Sequence, residues 1–218
     1  TVPYATNTIT IPYKEKIIKF LDAVSPEARE IGAVNTIVNR EGKLVGYNTD
    51  VYGAILALKC RQRLRGKKVV VLGAGGAARA ITFGLKKSGA TVTILNRTLA
   101  RAKKLGKDFG CDYGTLADFG KKPFDILVNA TSIGIMAKQN SKTKNTETPL
   151  PNFHKLLFRC STTLPIVFDI VYRPRMTKLL RDAKRAGCKI ITGDCMFFAQ
   201  AAKSFELWTG MRPKFPKL

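Results

Sequence analysis

The sequence predicts an α/β protein in which a Rossmann-like, doubly wound parallel sheet follows a smaller α/β region. Three observations predict it. From Lys68 onward short apolar strands alternate with helical segments, which is the grammar of βαβ units. The turn Gly73-Ala-Gly-Gly-Ala-Ala78 follows the first of those strands directly and opens a helix. The 218 residues, 45% hydrophobic and 24% charged, suffice for a substantial core and exclude a disordered chain.

Taken in order, Asn7 to Ile11 alternates like a strand, and Glu15 to Asp22 places Ile17, Ile18 and Leu21 on one helical face. Ser25-Pro26 is an N-cap followed by proline at the first helical position, and Gly32 stops that helix. Val34 to Val38 and Lys43 to Tyr47 predict strands joined through Arg40-Glu-Gly42. The polar, basic stretch Arg61-Gln-Arg-Leu-Arg-Gly-Lys-Lys68 then separates two differently patterned regions. The expected domains are 1–60, a dinucleotide-binding unit at 61–192, and a C-terminal helix in 193–218 that packs back on the first. Within the second unit come a strand at Lys68 to Leu72, a helix to about Lys87, a strand at Thr91 to Leu95 and a basic helix from Thr98. Asp125 to Asn129 and Pro165 to Ile170 predict two more buried strands, with a polar loop at Lys138 to Thr148 between them. Met176 to Ala186 is a helix ended by Gly187, Lys189 to Thr192 a short strand, and Asp194 to Trp208 a long apolar helix closed by Gly210.

The charge is extreme: 38 Lys+Arg against 15 Asp+Glu leave +23 at pH 7. Such a chain attracts anions, among them nucleic acid, acidic surfaces and phosphorylated cofactors. The basic residues are nevertheless spread along the chain, clustering locally at Arg61 to Lys68 and Lys138 to Lys144 with few aromatics between them. Nucleic acid is therefore expected to bind only non-specifically, if at all. Cys60, Cys111, Cys160, Cys188 and Cys195 form no CxxC or Cys/His spacing, which argues for free thiols and against a metal site. No apolar run approaches the length of a membrane span, and Thr1 to Tyr13 lacks a signal pattern, so no membrane partner and a cytoplasmic location are expected. The single histidine, His154, is expected to be a surface or structural residue.

The chemistry begins at the glycine turn. Gly73 allows the tight turn, Gly75 lets the backbone approach a pyrophosphate, and small Ala78 lets helix and strand pack closely. The helix start offers free N–H groups and positive potential to phosphates. At the end of the second strand, where an NAD site would carry Asp or Glu, stands Asn96-Arg97-Thr98. Arg97 and Arg101, about one helical turn apart, can clamp a 2′-phosphate that a carboxylate would repel, so the expected cofactor is NADP. In the first region Thr10 to Lys14, Gly32 to Thr36 and Gly46 to Asp50 place a lysine, asparagines, threonines and an aspartate beside turns, where they can converge on a polyhydroxylated ligand. By itself Asn48-Thr49-Asp50 reads equally well as the cap of the following helix.

Eight ordered motifs then bring a family into view: Thr10-Ile-Pro-Tyr-Lys-Glu15, Gly32-Ala-Val-Asn-Thr36, Asn48-Thr-Asp50, Gly73-Ala-Gly-Gly-Ala77, Asn96-Arg-Thr98, Asn129-Ala-Thr131, Asp169-x-x-Tyr172-x-Pro174, and Gln200 ahead of Leu207-Trp-Thr-Gly210. The sequence resembles the shikimate dehydrogenases, from Asn7 to Gly210. The resemblance implies that Lys14 and Asp50 form the catalytic pair and that Thr10, Asn35, Tyr172 and Gln200 hold substrate. It implies NADP contacts at Gly73, Ala74, Gly75, Gly76, Ala77, Asn96, Arg97, Thr98, Arg101 and Thr131, with Ile170, Gly193 and Met196 near the nicotinamide. The implied reaction is reversible reduction of 3-dehydroshikimate to shikimate. Quinate as substrate, or a non-catalytic regulator that senses pathway metabolites, are the alternatives. The Tyr172-Arg-Pro-Arg-Met-Thr177 form is similar to versions in fungal multifunctional aromatic-pathway proteins, which implies fusion to other domains of that pathway. The family's Ser-x-Ser element, which precedes the Thr10 motif, is not in these residues. An incomplete substrate domain is therefore expected, as a fragment or a degenerate paralogue.

Overall fold

The computed structural model describes residues 7–135, 147–151, 153, 157 and 164–213, arranged around two sheets. The smaller sheet contains β1 (Asn7–Thr8), β2 (Ala23–Val24), β3 (Thr36–Arg40) and β4 (Lys43–Tyr47) in the order β1-β3-β4-β2. β3 and β4 form the expected antiparallel hairpin, with Thr36 opposite Tyr47 and Arg40 opposite Lys43. Between β2 and β3, helix α1 (Pro26–Ile31) starts and stops as its sequence directs. The Ser25 hydroxyl accepts from the Ala28 N–H at 3.2 Å, and Gly32 closes the helix in the left-handed conformation.

Two expectations for this region change. The Asn7 strand is shorter, ending at Thr8, and the segment Glu15 to Asp22 forms a 3-10 turn over Lys16–Phe20 rather than an α-helix. That segment is tied down on both sides: the Lys14 carbonyl accepts from Val34 N–H at 2.8 Å and the Asp22 N–H donates to Leu44 at 3.0 Å. No side chain caps this turn, in contrast to α1 with its Ser25.

Helix α2 (Asp50–Lys59) leads from the smaller sheet to the larger one. Its strands are β5 (Lys68–Leu72), β6 (Thr91–Leu95), β7 (Asp112–Gly114), β8 (Ile126–Asn129), β9 (Ile166–Asp169) and β10 (Lys189–Ile191). All neighbours are parallel, in the order β10-β9-β8-β5-β6-β7. The direction of winding reverses between β5 and β8, which opens a crevice beyond their C-terminal ends. Side chains alternate across the sheet as the strand period requires. Val69, Val71, Ile126, Val128 and Phe168 face a core with Ile81 and Leu85 of helix α3 (Gly76–Lys87) and Leu105 of helix α4 (Leu99–Phe109). Val70, Leu72, Leu127 and Val167 face the opposite core with Phe119, Phe124, Phe153 and with Leu179 and Leu180 of helix α5 (Lys178–Arg185). The edge strand β7 carries no hydrophobic run and was not expected; it is held by its register against Thr93 to Leu95.

Helix α6 (Gly193–Thr209) returns to the smaller sheet. Trp208 Nε1–H donates to the Ile37 carbonyl at 3.0 Å, and Gly53 of α2 lies so close that a Cβ there would stand 2.6 Å from the Met196 carbonyl oxygen. Among the described residues no helix is long and apolar enough to cross a membrane. Cys60, Cys111, Cys188 and Cys195 are free thiols. His154, Cys160 and the basic cluster Lys138 to Lys144 lie outside the described residues.

Candidate active site

The turn Thr10 to Tyr13, closed by Tyr13 N–H on the Thr10 carbonyl at 2.9 Å, delivers Lys14 to the start of α3. Gly76 permits the approach, because a Cβ on it would stand 2.8 Å from Lys14 Cβ. Lys14 Nζ donates to Asp50 Oδ2 at 2.5 Å, with 13% and 5% of the two side chains exposed. Asp50 opens α2, where the helix dipole favours an anion. The capping alternative for Asn48-Thr49-Asp50 divides by residue. Asn48 Oδ1 accepts from Val51 N–H at 3.3 Å and so serves the helix start, Thr49 makes no such bond, and Asp50 turns to the lysine.

Around this pair the structure assembles a hydrogen-bonded set from three distant segments. Asn35 Nδ2 donates to Asp50 Oδ1 at 3.0 Å, to Thr49 Oγ1 at 2.9 Å and to Gln200 Oε1 at 3.4 Å. Asn35 Oδ1 accepts from Thr49 N–H at 2.7 Å and Thr36 Oγ1 at 3.0 Å. Ser204 joins through Thr36 at 2.9 Å and Thr49 at 3.0 Å. Thr36 and Thr49 are among the threonines expected beside these turns, with no individual role assigned to them, and Ser204 was not singled out from sequence. Ser204 had a signal, since it lies one helical turn from Gln200 on the same face of α6.

Two expected substrate residues stand apart from that set. Thr10 is exposed, its carbonyl engaged in the turn, and Tyr172, 45% exposed, stacks on Phe197 with ring centroids 4.4 Å apart.

The cofactor candidates lie along the crevice edge. Gly73 has φ of +111°, and a Cβ on it would stand 2.9 Å from the Ala130 carbonyl oxygen. Gly75 is exposed, and a Cβ there would meet nothing within 4 Å, which leaves space beside the α3 N-terminus for a bulky anion. Ala74 is half-buried and packs against the first core, and Ala77 is buried. Asn96 shapes the turn, its Nδ2 donating to the Thr98 carbonyl at 3.0 Å, while Arg97 and Arg101 are exposed and form no ion pair with the described residues. Thr131 is fixed by Asn129 Oδ1, which accepts from its N–H at 3.0 Å and its hydroxyl at 2.7 Å. Ile170 is half-buried, and Gly193 is so tight that a Cβ would stand 2.5 Å from the carbonyl oxygens of Ile170 and Val171. Met196 is buried beneath α2. The glycine turn, the open space beside it and the exposed arginines at the second strand's end fit a phosphorylated dinucleotide.

Sheet order, glycine turn and crevice define a Rossmann-like α/β protein with a Lys–Asp pair at the cleft. Comparison with known proteins places it further. The model of the shikimate dehydrogenase substrate-binding domain matches residues 5–37, that of shikimate/quinate 5-dehydrogenase residues 55–156, and that of the shikimate 5′-dehydrogenase C-terminal domain residues 196–217. A shikimate dehydrogenase (NADP(+)) of Pyrococcus abyssi is 45% identical over 207 residues, covering 94% of this chain and 72% of the relative. One from Carboxydothermus hydrogenoformans is 40% identical over 213 residues, with the same coverage. The crystal structure of Thermus thermophilus shikimate 5-dehydrogenase in complex with NADP(H) and shikimate superposes with a TM-score of 0.83 at 40% identity, covering 97% of this chain and 76% of that one. A ligand-free 5-ketofructose reductase of Gluconobacter superposes at 0.78 with 34% identity, covering 97% and 75%. The chain belongs to the shikimate dehydrogenase family.

Proposed function

We propose that this protein is an NADP-dependent shikimate dehydrogenase that reversibly reduces 3-dehydroshikimate to shikimate. The observation that carries the reading is the Lys14–Asp50 pair, held at 2.5 Å beside the start of the helix that follows the glycine turn. Relatives named shikimate dehydrogenase (NADP(+)) at 40–45% identity support it.

When bound, NADPH would supply a hydride to the substrate's carbonyl carbon, which would leave negative charge on the carbonyl oxygen. Lys14 stands where an ammonium can stabilise that charge and pass a proton from Nζ to the oxygen. Asp50 orients Lys14 through Oδ2, and its Oδ1 is fixed by Asn35, so the carboxylate cannot swing away from the lysine. Asn35 and Gln200, both part of the bonded set around Asp50, hold the substrate's hydroxyls or carboxylate together with Thr10 and Tyr172. Gly73 to Ala77 receive the pyrophosphate at the α3 N-terminus, and Asn96 to Thr98 with Arg101 hold the adenosine end. Arg97 and Arg101 pair with its 2′-phosphate. Thr131, Ile170, Gly193 and Met196 flank the nicotinamide end. In the reverse direction Lys14 takes the hydroxyl proton, with Asp50 stabilising the ammonium that results.

The test is NADPH formation on mixing the protein with shikimate and NADP+, read by absorbance, with quinate and NAD+ in parallel arms. Turnover with shikimate and NADP+ as the preferred pair is expected. Turnover with quinate alone, or none with either alcohol while NADP+ binds, would overturn the assignment.

A further inference from the structure

We infer that Asp169 is a positioning residue that ties the loops after β8 and β9 into one unit, so that the cofactor-side Thr131 and the substrate-side Tyr172 are set by a single carboxylate. The inference deepens the proposed function and rests on it for what those loops hold.

Asp169 is fully buried at the last position of β9, in register with Asn129 at the end of β8. Three donors converge on it. Its Oδ1 accepts from Asn129 Nδ2 at 2.9 Å and from Val171 N–H at 3.0 Å, and its Oδ2 accepts from Thr177 Oγ1 at 2.7 Å. Each donor anchors a different piece of the crevice edge. Asn129 carries the first loop, accepting from Thr131 twice and donating to the Ile133 carbonyl at 3.3 Å, and Thr131 Oγ1 then accepts from Ile133 N–H at 3.1 Å. Val171 carries the start of the second loop. Its carbonyl and that of Ile170 are where Gly193 makes its tightest approach, and Tyr172 follows directly. Thr177 ends that loop and caps α5, accepting from Leu180 N–H at 3.2 Å.

A carboxylate suits this point because it accepts on both oxygens and donates from neither. An amide would aim an NH₂ at one of the three donors. The arrangement is costly: burial pushes the Asp169 carboxyl up to about 6 against the pull of its three hydrogen bonds, and among the described residues it has no ion-pair partner.

The test uses Asp169→Asn and Thr177→Val in the full chain. Valine keeps the methyl that faces Gly134 and puts a second methyl in place of the hydroxyl, which removes the bond to Asp169 together with the cap of α5. Hydrogen exchange is followed at residues 131–135 and 170–177, together with steady-state kinetics for shikimate and NADP+. In both variants exchange should quicken about tenfold in both loops while β5 and α3 keep their protection. Turnover should fall about tenfold or more, with each KM changing by less than about threefold, because loosened loops lose reacting geometry before affinity. Thr177→Ser should behave like the unmutated protein. Quickening confined to 170–177, quickening that extends equally to β5 and α3, or unchanged exchange would each overturn the inference. If the unmutated protein does not oxidise shikimate, the functional reading fails. The exchange result then still decides whether the two loops form one unit.

Discussion

At the scale of single residues, the partly buried Lys14–Asp50 pair is where an enzyme separates from a binding protein of the same fold. Lys14→Met keeps comparable bulk and removes the proton donor, so turnover should fall by roughly 10²–10⁴-fold with a smaller change in substrate affinity. Asp50→Asn should also reduce turnover, and because the two act as a unit the double variant should be little worse than the worse single one. Multiplicative losses in steady-state assays would show that they do not act as a pair. Lys14→Met leaves Asp50 with Asn35 as its donor, so thermal unfolding of the variant separates a stability loss from a catalytic one. The cofactor prediction belongs to Arg97 and Arg101. Replacing both by alanine should weaken NADPH much more than NADH in a binding titration, since each charged hydrogen bond to a phosphate contributes on the order of 1.5–3 kcal/mol. Asp169 makes a prediction about pH. Its carboxyl is raised by burial from 3.8 to about 6. Between those values the folded state holds a proton that the unfolded state has lost, so this group's penalty is absent below about pH 4 and complete above about pH 6. The contribution falls as pH rises, by up to about 3 kcal/mol for a shift of this size. Denaturant unfolding across that range should show the slope diminished in Asp169→Asn.

At the scale of elements, the contact between α2 and α6 sets the distance between Asp50 and Gln200. The helices approach closely because Gly53 presents no side chain to the Met196 carbonyl and to Gln200, whose Cβ would lie 3.0 Å from an added Cβ. The obstruction is largely helix backbone, which cannot rotate out of the way. Gly53→Ala should therefore push the helices apart and destabilise the fold by about 1–3 kcal/mol, as overpacking does. It should also raise the KM for shikimate more than that for NADP+, because Gln200 moves with α6 while the glycine turn of α3 does not. Equal changes in the two constants would show that the helix contact does not set the substrate side. α1 shows the opposite regime, in which local chemistry suffices. Ser25, Pro26 and Gly32 determine its ends whatever it packs against.

At the scale of the whole molecule, parallel topology distributes the +23 charge. Strand starts and helix ends share the sheet edge opposite the crevice. There the last turns of α3, α4 and α5 carry Lys86, Lys87, Lys107, Lys184 and Arg185, which favourably meet the negative helix ends. At these helix ends the charge complements the backbone dipoles, and Lys87 Nζ lies over the Phe83 ring, 5.2 Å from its centroid. Any nucleic-acid binding should accordingly fall steeply with salt and show no preference among sequences, as counterion release requires. A titration that found a sequence-preferring complex at physiological salt would instead favour a regulatory role.

Features that depend on near neighbours along the chain can be read from the residues alone. The strand period of Val69 to Leu72, the glycine turn at Gly73 to Ala77 and the caps of α1 were legible because side-chain alternation and backbone freedom are local properties. The Asn96-Arg97-Thr98 signal for the cofactor was legible for the same reason, and the pairing of Lys14 with Asp50 came only through the ordered family motifs. Tertiary structure alone decided the rest. It shortened Glu15 to Asp22 to a 3-10 turn anchored at both ends, and it added β7 through register against β6 where no apolar run announced a strand. It also joined Asn35 to Thr49, Ser204 to Thr36 and Thr49, and Asp169 to Asn129 and Thr177. Those contacts link residues up to 168 positions apart. A hydroxyl or carboxylate that is ordinary in its own segment acquires its partners, and the cost of its burial, only when the sheets and helices close around it.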